Sequence, residues 1–143
     1  MLKFGPVDVI VLAAGAPAFD GSILAELERA AETGVIRVLD AMLLVRDDAG
    51  DCWRVDIEDL PDDQKLALAF VETGTRGLFD SDDAGVLFEG MVPGSAVVAL
   101  AIEHRWAIDL VNAVYSSGVE LAFQFRVPAV VVDEAYASLS TNA

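Results

Sequence analysis

The pattern of apolar and polar residues in the first third of the chain predicts a strand, a helix and a second strand. The β-branched run VDVIVLA (7–13) predicts the first strand. A helix is expected next, with Ser22 as N-cap and an end at Gly34. Its apolar residues share one face at helical spacing: Ile23, Leu24, Leu27, Ala30 and Ala31. VIRVLDAMLLVRD (35–47) then predicts a long second strand, bulged at Asp40 where an acid interrupts the apolar run.

A hairpin turn and an edge strand are predicted after that run. The turn DDAGD contains Gly50, which can adopt a positive φ, and leads into CWRVDIE (52–58). Trp53, Val55 and Ile57 alternate with charged residues in this third strand. Such alternation predicts one buried and one solvated face, as expected of a strand at the edge of a sheet.

The remaining patterns predict helices and two more strands. Short helices are expected in LPDDQKLALAFVETG (60–74) and in SDDAGVLFEGM (81–91), the latter capped by Ser81 or Asp80. AVVALAIE (96–103) is apolar on both faces, which predicts a central strand. WAIDLVNAVYSSG (106–118) predicts a helix that ends at Gly118 and has an apolar face of Trp106, Leu110, Ala113 and Val114. VELAFQF (119–125) predicts another strand, and Pro128 begins a last helix that runs to about Leu139.

The order of these elements predicts the fold class. The series β-α-β-β-(α-α)-β-α-β-α indicates an α+β fold with a split βαβ arrangement. We expect a mixed sheet with the helices packed mainly on one face. No internal linker or repeat interrupts the pattern, so we predict a single α+β domain over residues 1–143.

Four stretches carry a resemblance to a known family: GPVDVIVLA, GVIRVLDAMLLVRDDAGD, VPGSAVVALAIEHRWAIDL and RVPAVVVDEAYASL. Together they resemble a bacterial family of unknown function, domain of unknown function 6325, and EHRWA is the most specific part. The chain is more distantly similar to domain of unknown function 1269, whose members carry a glycine-rich, membrane-like insertion after the hairpin. Here the acidic DIEDLPDDQKLALAFVETGTRG occupies that place. The resemblance implies a ferredoxin-like α+β domain and no particular activity.

Charge and cysteine content argue against several classes of function. Asp and Glu number 24 and Lys and Arg 9 among 143 residues, which gives a net charge of −15. Such a chain repels phosphate backbones and anionic lipid surfaces, so we expect no nucleic-acid partner. No apolar run reaches the roughly 20 residues that a membrane span needs. Cys52 is the only cysteine, which excludes an intrachain disulfide and favours a reducing, cytoplasmic compartment.

We predict no cofactor and no metal site. GAPAFDG (15–21) lies where phosphate-binding loops occur but lacks both the G-x-G-x-x-G and the P-loop patterns. DSDDAGVLFEGM (80–91) is similar to an EF-hand loop at Asp80 and Asp82, yet Ala84 and Met91 stand where ligands are needed. Helix starts and solvated turns account for these acids.

The candidate site residues are His104, Trp106 and Glu103, in the segment EHRW. His104 is the only histidine and could act as a general base beside an acid. Glu103 is adjacent to it in a strand, so its side chain points to the opposite face. No serine-nucleophile motif is present. We therefore interpret the segment as a structural corner between strand and helix, and keep it as a ligand-binding candidate.

Two hypotheses of function follow. The first is a non-enzymatic interaction or scaffold domain that forms homo-oligomers, because the chain is 55% hydrophobic and two of its predicted strands are apolar on both faces. The alternative is a small-molecule-binding or catalytic domain with a pocket near His104 and Trp106. The missing catalytic motifs favour a non-enzymatic role without deciding it.

Overall fold

The computed structural model describes residues 2–15, 21–56, 59, 62, 66, 68–72, 74–75, 77–122 and 124–141. Its elements are β1 (Val7–Gly15), α1 (Gly21–Glu32), β2 (Ile36–Arg46), β3 (Cys52–Val55), α2 (Ser81–Glu89), β4 (Ser95–His104), a 3₁₀ turn (Arg105–Ala107), α3 (Ile108–Ser116) and α4 (Ala129–Thr141). The predicted α+β class is confirmed. The predicted helix over 60–74 and the N-cap side chain of Ser22 lie largely or wholly outside what the structure describes.

The strands form one sheet of four in the order β1-β4-β2-β3. Each pairing between neighbouring strands is antiparallel. The prediction of a mixed sheet is therefore wrong for the described strands, because β1 and β2, which are joined through α1, are separated by β4 and never pair. The ferredoxin-like topology implied by the family resemblance is not confirmed by this strand order.

Strand β4 is the buried centre of the sheet, as its apolar pattern predicts. Its residues alternate between two apolar clusters on opposite faces: Val97, Ala99 and Ala101 on one, and Leu100 and Ile102 on the other. Residues of α2 pack against the first cluster, and Leu27 of α1 packs against the second. One helix thus packs on each face of β4, and the expectation that the helices pack mainly on one face is not confirmed for α1 and α2. A central strand that is apolar on both sides needs cover on both.

The bulge predicted at Asp40 is present. The β2–β4 register shifts between Val38 and Asp40. The Asp40 side chain is buried and accepts three backbone hydrogen bonds, from Ala41 N (2.9 Å), Gly77 N (3.2 Å) and Phe79 N (2.9 Å). A buried carboxylate held by backbone donors fixes the segment before α2 against the sheet.

The acids around residue 80 form a helix cap. Asp80 accepts from Asp83 N, and the Asp83 side chain accepts from Asp80 N, each at 2.9 Å, which completes a capping box. The hydrogen bond from the Asp83 backbone lowers the pKa of the Asp80 carboxyl below its usual value. Asp80, the second of the two predicted caps, is therefore the residue used.

Two arginines in the hairpin strands donate to backbone carbonyls instead of lying free on the surface. Arg46 in β2 donates to the oxygens of Met91 and Phe88, next to the end of α2. Arg54 in β3 donates to Phe79 O at 3.2 Å. These contacts use cationic side chains to bind the hairpin to the residues on both sides of α2.

Strand β3 lies at an edge of the sheet, as predicted, but its buried face differs from the expectation. Trp53 is exposed, whereas Arg54 and Val55 are partly buried. Ile57, the last residue of the predicted buried face, lies outside the described residues. The prediction for Trp53 is wrong because Arg54 turns inward to reach the Phe79 carbonyl.

The chain divides into two compact units, Met1–Asn112 and Ala113–Ala143. In the second unit the strand predicted over 119–125 is not formed at 119–122 or 124–125, and α4 follows Pro128 as expected. A strand pattern by itself does not form a strand, since its backbone groups need a neighbouring strand. The single-domain organisation stays a prediction.

Among the described residues, every helix is too short or too polar to cross a bilayer.

Candidate functional site

The N-terminal segment closes over the corner where β4 ends and the helices begin. Gly5 N donates to Glu103 Oε2 at 2.8 Å, and His104 N donates to Pro6 O at 2.8 Å. Further along, Leu2 N donates to Asn112 Oδ1 and Leu2 O accepts from Asn112 Nδ2. These four bonds fix residues 2–6 against β4 and α3, and they place β1 beside β4.

Glu103 lies inside this corner as a fully buried carboxylate. Its Oε1 is 3.3 Å from Arg37 Nε, yet no described residue makes a hydrogen bond to this oxygen, so the contact with Arg37 is an ion pair only. The Arg37 guanidinium also lies 5.7 Å from the centre of the Phe4 ring. Glu72 is a more distant acid, with 3.9 Å between its Oε1 and Arg37 Nε. Arg37 thus balances a buried negative charge.

His104 lies on the other face of β4 and pairs with an acid from β1. Its Nε2 is 2.5 Å from Asp8 Oδ2, and both side chains are partly buried. The Trp106 ring meets the imidazole edge to face, at 6.3 Å between centres and an interplanar angle of 70°. The corner therefore holds an oriented imidazole beside an accessible indole.

The predicted apolar face of the helix over 106–118 is wrong at Trp106, which does not pack on the sheet. Its side chain is 60% exposed, and Leu110 is exposed as well. The buried residues are Ala107 and Asn112. The side of α3 that faces the protein interior therefore differs from the predicted one. The 3₁₀ turn before α3 and the hydrogen bond between Asn112 and Leu2 set the orientation of this helix.

The structure joins two of the three candidate residues and separates the third. His104 and Trp106 are in ring contact, whereas Glu103 faces Arg37 and Gly5 on the opposite side of β4. The acid that orients His104 is Asp8, which the sequence did not identify as its partner. The signal that could have found it is an acid inside the apolar run of β1, the same signal that located Asp40.

Comparison with known proteins gives a family and no activity. A family model described as "Family of unknown function (DUF6325)" matches residues 3–142. The chain belongs to this family. No curated protein matches, and no solved structure matches. The matched range includes Asp8, Glu103, His104 and Trp106, so the corner is part of the family domain.

In chemical terms the corner of this family member offers an acid–imidazole pair. Asp8 can orient the His104 ring, as the acid of a general-base pair does. Among the residues that the structure describes, no group of three or more His, Cys, Asp or Glu side chains is placed to hold a metal ion. The same pair can equally fasten β1 to the end of β4, which is a structural role.

A variant distinguishes these two roles. Replacing His104 with alanine should lower the free energy of unfolding by about 1 kcal/mol, because a partly buried hydrogen bond and a ring contact are lost. Denaturant unfolding of His104→Ala, Asp8→Ala and the double variant measures the coupling between the two residues. An unchanged free energy of unfolding in His104→Ala would contradict the structural role and favour a ligand site.

Proposed function

We propose that this chain is a non-enzymatic interaction or scaffold domain that associates with copies of itself. One observation supports the proposal. Val7, Val9 and Val11, called here the valine row, lie on one face of β1 and are 45%, 61% and 45% exposed. The neighbouring β1 residues Ile10 and Leu12 are packed against the core on the other face. A contiguous row of exposed valines on a strand is typical of an interaction surface.

The position of β1 strengthens this reading. β1 is an edge strand of nine residues, and no described strand pairs with its outer side. Long apolar edges are ready to pair with another chain, and proteins usually protect them with charge or by making them short. The opposite edge, β3, is protected in this way, since it has four residues and includes Arg54. β1 is longer, and its one charged residue, Asp8, contacts His104 of the same chain, so this edge favours contact with another chain.

The proposal also includes the fold, the cellular compartment and the absence of nucleic-acid partners. We infer a split βαβ unit, supported by β1 and β2 lying on either side of β4 and being joined through α1. A net charge of −15 supports a protein without nucleic-acid partners, and Cys52 as the only cysteine supports a cytoplasmic location. Arg37, Arg46 and Arg54 add to that argument, because each is engaged with this chain's own acids or carbonyls.

Sedimentation across a salt series tests self-association. We expect an oligomer that moderate salt strengthens, because screening relieves the repulsion between acidic chains while the apolar contact remains. Val9→Glu should dissociate it, since the variant places a charge in the valine row. Val86→Glu is the matched control, because Val86 is an exposed valine on α2, outside that row.

Two results would contradict the proposal. A monomer at all concentrations would remove self-association altogether. Dissociation as salt rises would show that ion pairs hold the oligomer, and the valine row would then not be the contact.

A second candidate function rests on the Asp8–His104 pair. The 2.5 Å contact beside the exposed Trp106 ring supports a site for a small molecule that stacks on the indole and exchanges a proton with the imidazole. The coupling experiment on Asp8 and His104 separates this candidate from a structural corner, because a ligand site predicts no loss of stability in His104→Ala.

A further inference from the structure

The 3₁₀ turn and the start of α3 have their large apolar side chains on the outside. Trp106 and Leu110 are 60% and 57% exposed, whereas Ala107 and the polar Asn112 are buried. An ordinary surface helix has the reverse arrangement, with apolar residues inward and polar residues in water. The two hydrogen bonds between Asn112 and Leu2 hold the polar residue inside. The outward position of Trp106 and Leu110 is therefore set by contacts within the chain.

Two charges of opposite sign flank these apolar side chains. Arg105 precedes Trp106 and Asp109 precedes Leu110, and all four residues are exposed. Within the part of the chain that the structure describes, the side chains of Arg105 and Asp109 make no hydrogen bond or ion pair. The four residues, called here the Trp106 patch, carry no net charge. In a chain of net charge −15, a neutral apolar patch is a place where two copies approach with little repulsion.

The Trp106 ring is oriented by its own chain before any partner binds. It meets the His104 ring edge to face at 6.3 Å between centres, and Asp8 contacts the His104 ring at 2.5 Å. The backbone N–H of Trp106 donates to Val35 O at 3.3 Å. An ordered side chain loses little conformational entropy on binding, and tryptophan is enriched among the residues that dominate interface affinity. Asp8 and His104 thus act as positioning residues for Trp106.

We propose that the Trp106 patch is a second contact between copies of this chain, in which two patches meet antiparallel around a two-fold axis. With the axis near Ile108, Trp106 of one copy lies against Leu110 of the other, and Arg105 lies against Asp109. The symmetry repeats each of these contacts. This inference deepens the proposed self-association and rests on it, because it names a surface other than the valine row through which copies meet.

Charge favours a second copy as the occupant of the patch. Arg105 and Asp109 are four positions apart on one helical face, so the same spacing on an antiparallel copy brings each charge to its opposite. A parallel copy would place like charges together. A purely acidic or purely basic partner would meet one favourable and one unfavourable charge. Exposed ion pairs contribute little affinity, so they select the orientation while Trp106 and Leu110 supply the apolar contact.

The proposal changes what Val9→Glu should do to the assembly. A chain with two different two-fold contacts can connect more than two copies. Val9→Glu breaks the contact through the valine row, and it should leave pairs of chains that are joined through the Trp106 patch. In this background the second contact is measured by itself.

Charge exchange in the full-length Val9→Glu protein tests the pairing. Arg105→Asp gives a patch with only carboxylates, and Asp109→Arg gives a patch with only guanidinium groups. Each variant repels a copy of itself, whereas a mixture of the two restores every opposite-charge contact. Both side chains are exposed, so neither change disturbs a core. Sedimentation should show roughly tenfold weaker association for each variant alone and the parent affinity for the mixture.

Truncation of the indole tests the apolar part of the contact. In the same Val9→Glu background, Trp106→Ala should weaken association roughly thirtyfold or more. Trp53→Ala is the matched control, because Trp53 is an exposed tryptophan on β3, outside the patch. It should leave association unchanged. Circular dichroism of both variants verifies that each one is folded.

Several results would overturn the inference. Equal association of the charge variants, alone and mixed, would exclude the two-fold pairing. If Trp106→Ala associates as tightly as Trp53→Ala, the patch is not the contact, and its occupant is a small molecule, another protein or another part of the same chain.

Sedimentation of the parent chain separates this inference from the proposed function. A monomeric Val9→Glu protein beside an oligomeric parent would overturn the second contact and leave the valine row as the site of self-association. A monomeric parent would overturn both.

Discussion

Replacing Asp40 with alanine should lower the free energy of unfolding by roughly 3 kcal/mol, because buried hydrogen-bond donors would be left without an acceptor. The Asp40 carboxylate accepts from Ala41 N, Gly77 N and Phe79 N, and it is 2% exposed. The methyl group of alanine accepts no hydrogen bond, and water cannot reach these buried donors unless the surrounding structure rearranges. Chemical denaturation followed by circular dichroism measures the loss.

Two further variants control this experiment. Asp40→Asn keeps the shape of the side chain but turns one acceptor oxygen into an N–H₂ group, which would face backbone donors. It should therefore be nearly as destabilising as alanine. Asp48→Ala removes an exposed aspartate from the hairpin turn and should change stability by no more than about 0.5 kcal/mol. A loss of similar size in Asp48→Ala would mean that net charge, rather than the bonds of Asp40, is responsible.

Replacing Gly5 with alanine should cost about 3 kcal/mol, at the upper end of the range for overpacking. A Cβ at this position would lie 2.2 Å from His104 O and 3.2 Å from Ile108 Cγ1. The Ile108 side chain can move, but the His104 carbonyl belongs to the backbone of β4 and cannot. The N-terminal segment would have to lift away, which breaks the Gly5 N bond to Glu103 and leaves that buried acid with the Arg37 contact alone.

Gly85→Ala is the matched control and should have the opposite sign. Gly85 lies within α2, and a Cβ there would meet nothing within 4 Å. Alanine in a helix is more stable than glycine by about 1 kcal/mol, so the melting temperature should rise. If both variants lose stability equally, the close approach at Gly5 is not the cause. Differential scanning calorimetry of the two proteins decides this.

Much of the sheet could be predicted from the sequence because its signals are local. The apolar run of β4 has no polar face for solvent, and that alone indicates a central strand. Asp40 interrupts an apolar strand, and only a bulge or a buried hydrogen-bond network makes such a residue tolerable. The capping box from Asp80 to Asp83 spans four residues and needs no knowledge of the rest of the chain.

The remaining features depend on residues that are distant in sequence. Asp8 and His104 are 96 positions apart. The acid inside the apolar run of β1 is a local signal for a buried polar contact, but that signal does not show which residue is the partner. The exposure of Trp106 depends on the hydrogen bond between Leu2 and Asn112, and these two residues are 110 positions apart. The stretch 119–125 shows the opposite case, since its local pattern predicts a strand that residues 119–122 and 124–125 do not form.

The bulge in β2 has a consequence for how sequences in this family can change length. Before the bulge Val38 shares a face with Ile102, and after it Ala41 shares that face with Leu100, so the side-chain alternation is offset by one residue across Leu39 and Asp40. Deleting Leu39 would remove the extra residue and leave every other side chain of β2 on its present face. Deletion of a single residue elsewhere in the strand would turn a whole apolar row to the wrong side. Relatives that are one residue shorter in β2 should therefore have lost the residue at this position.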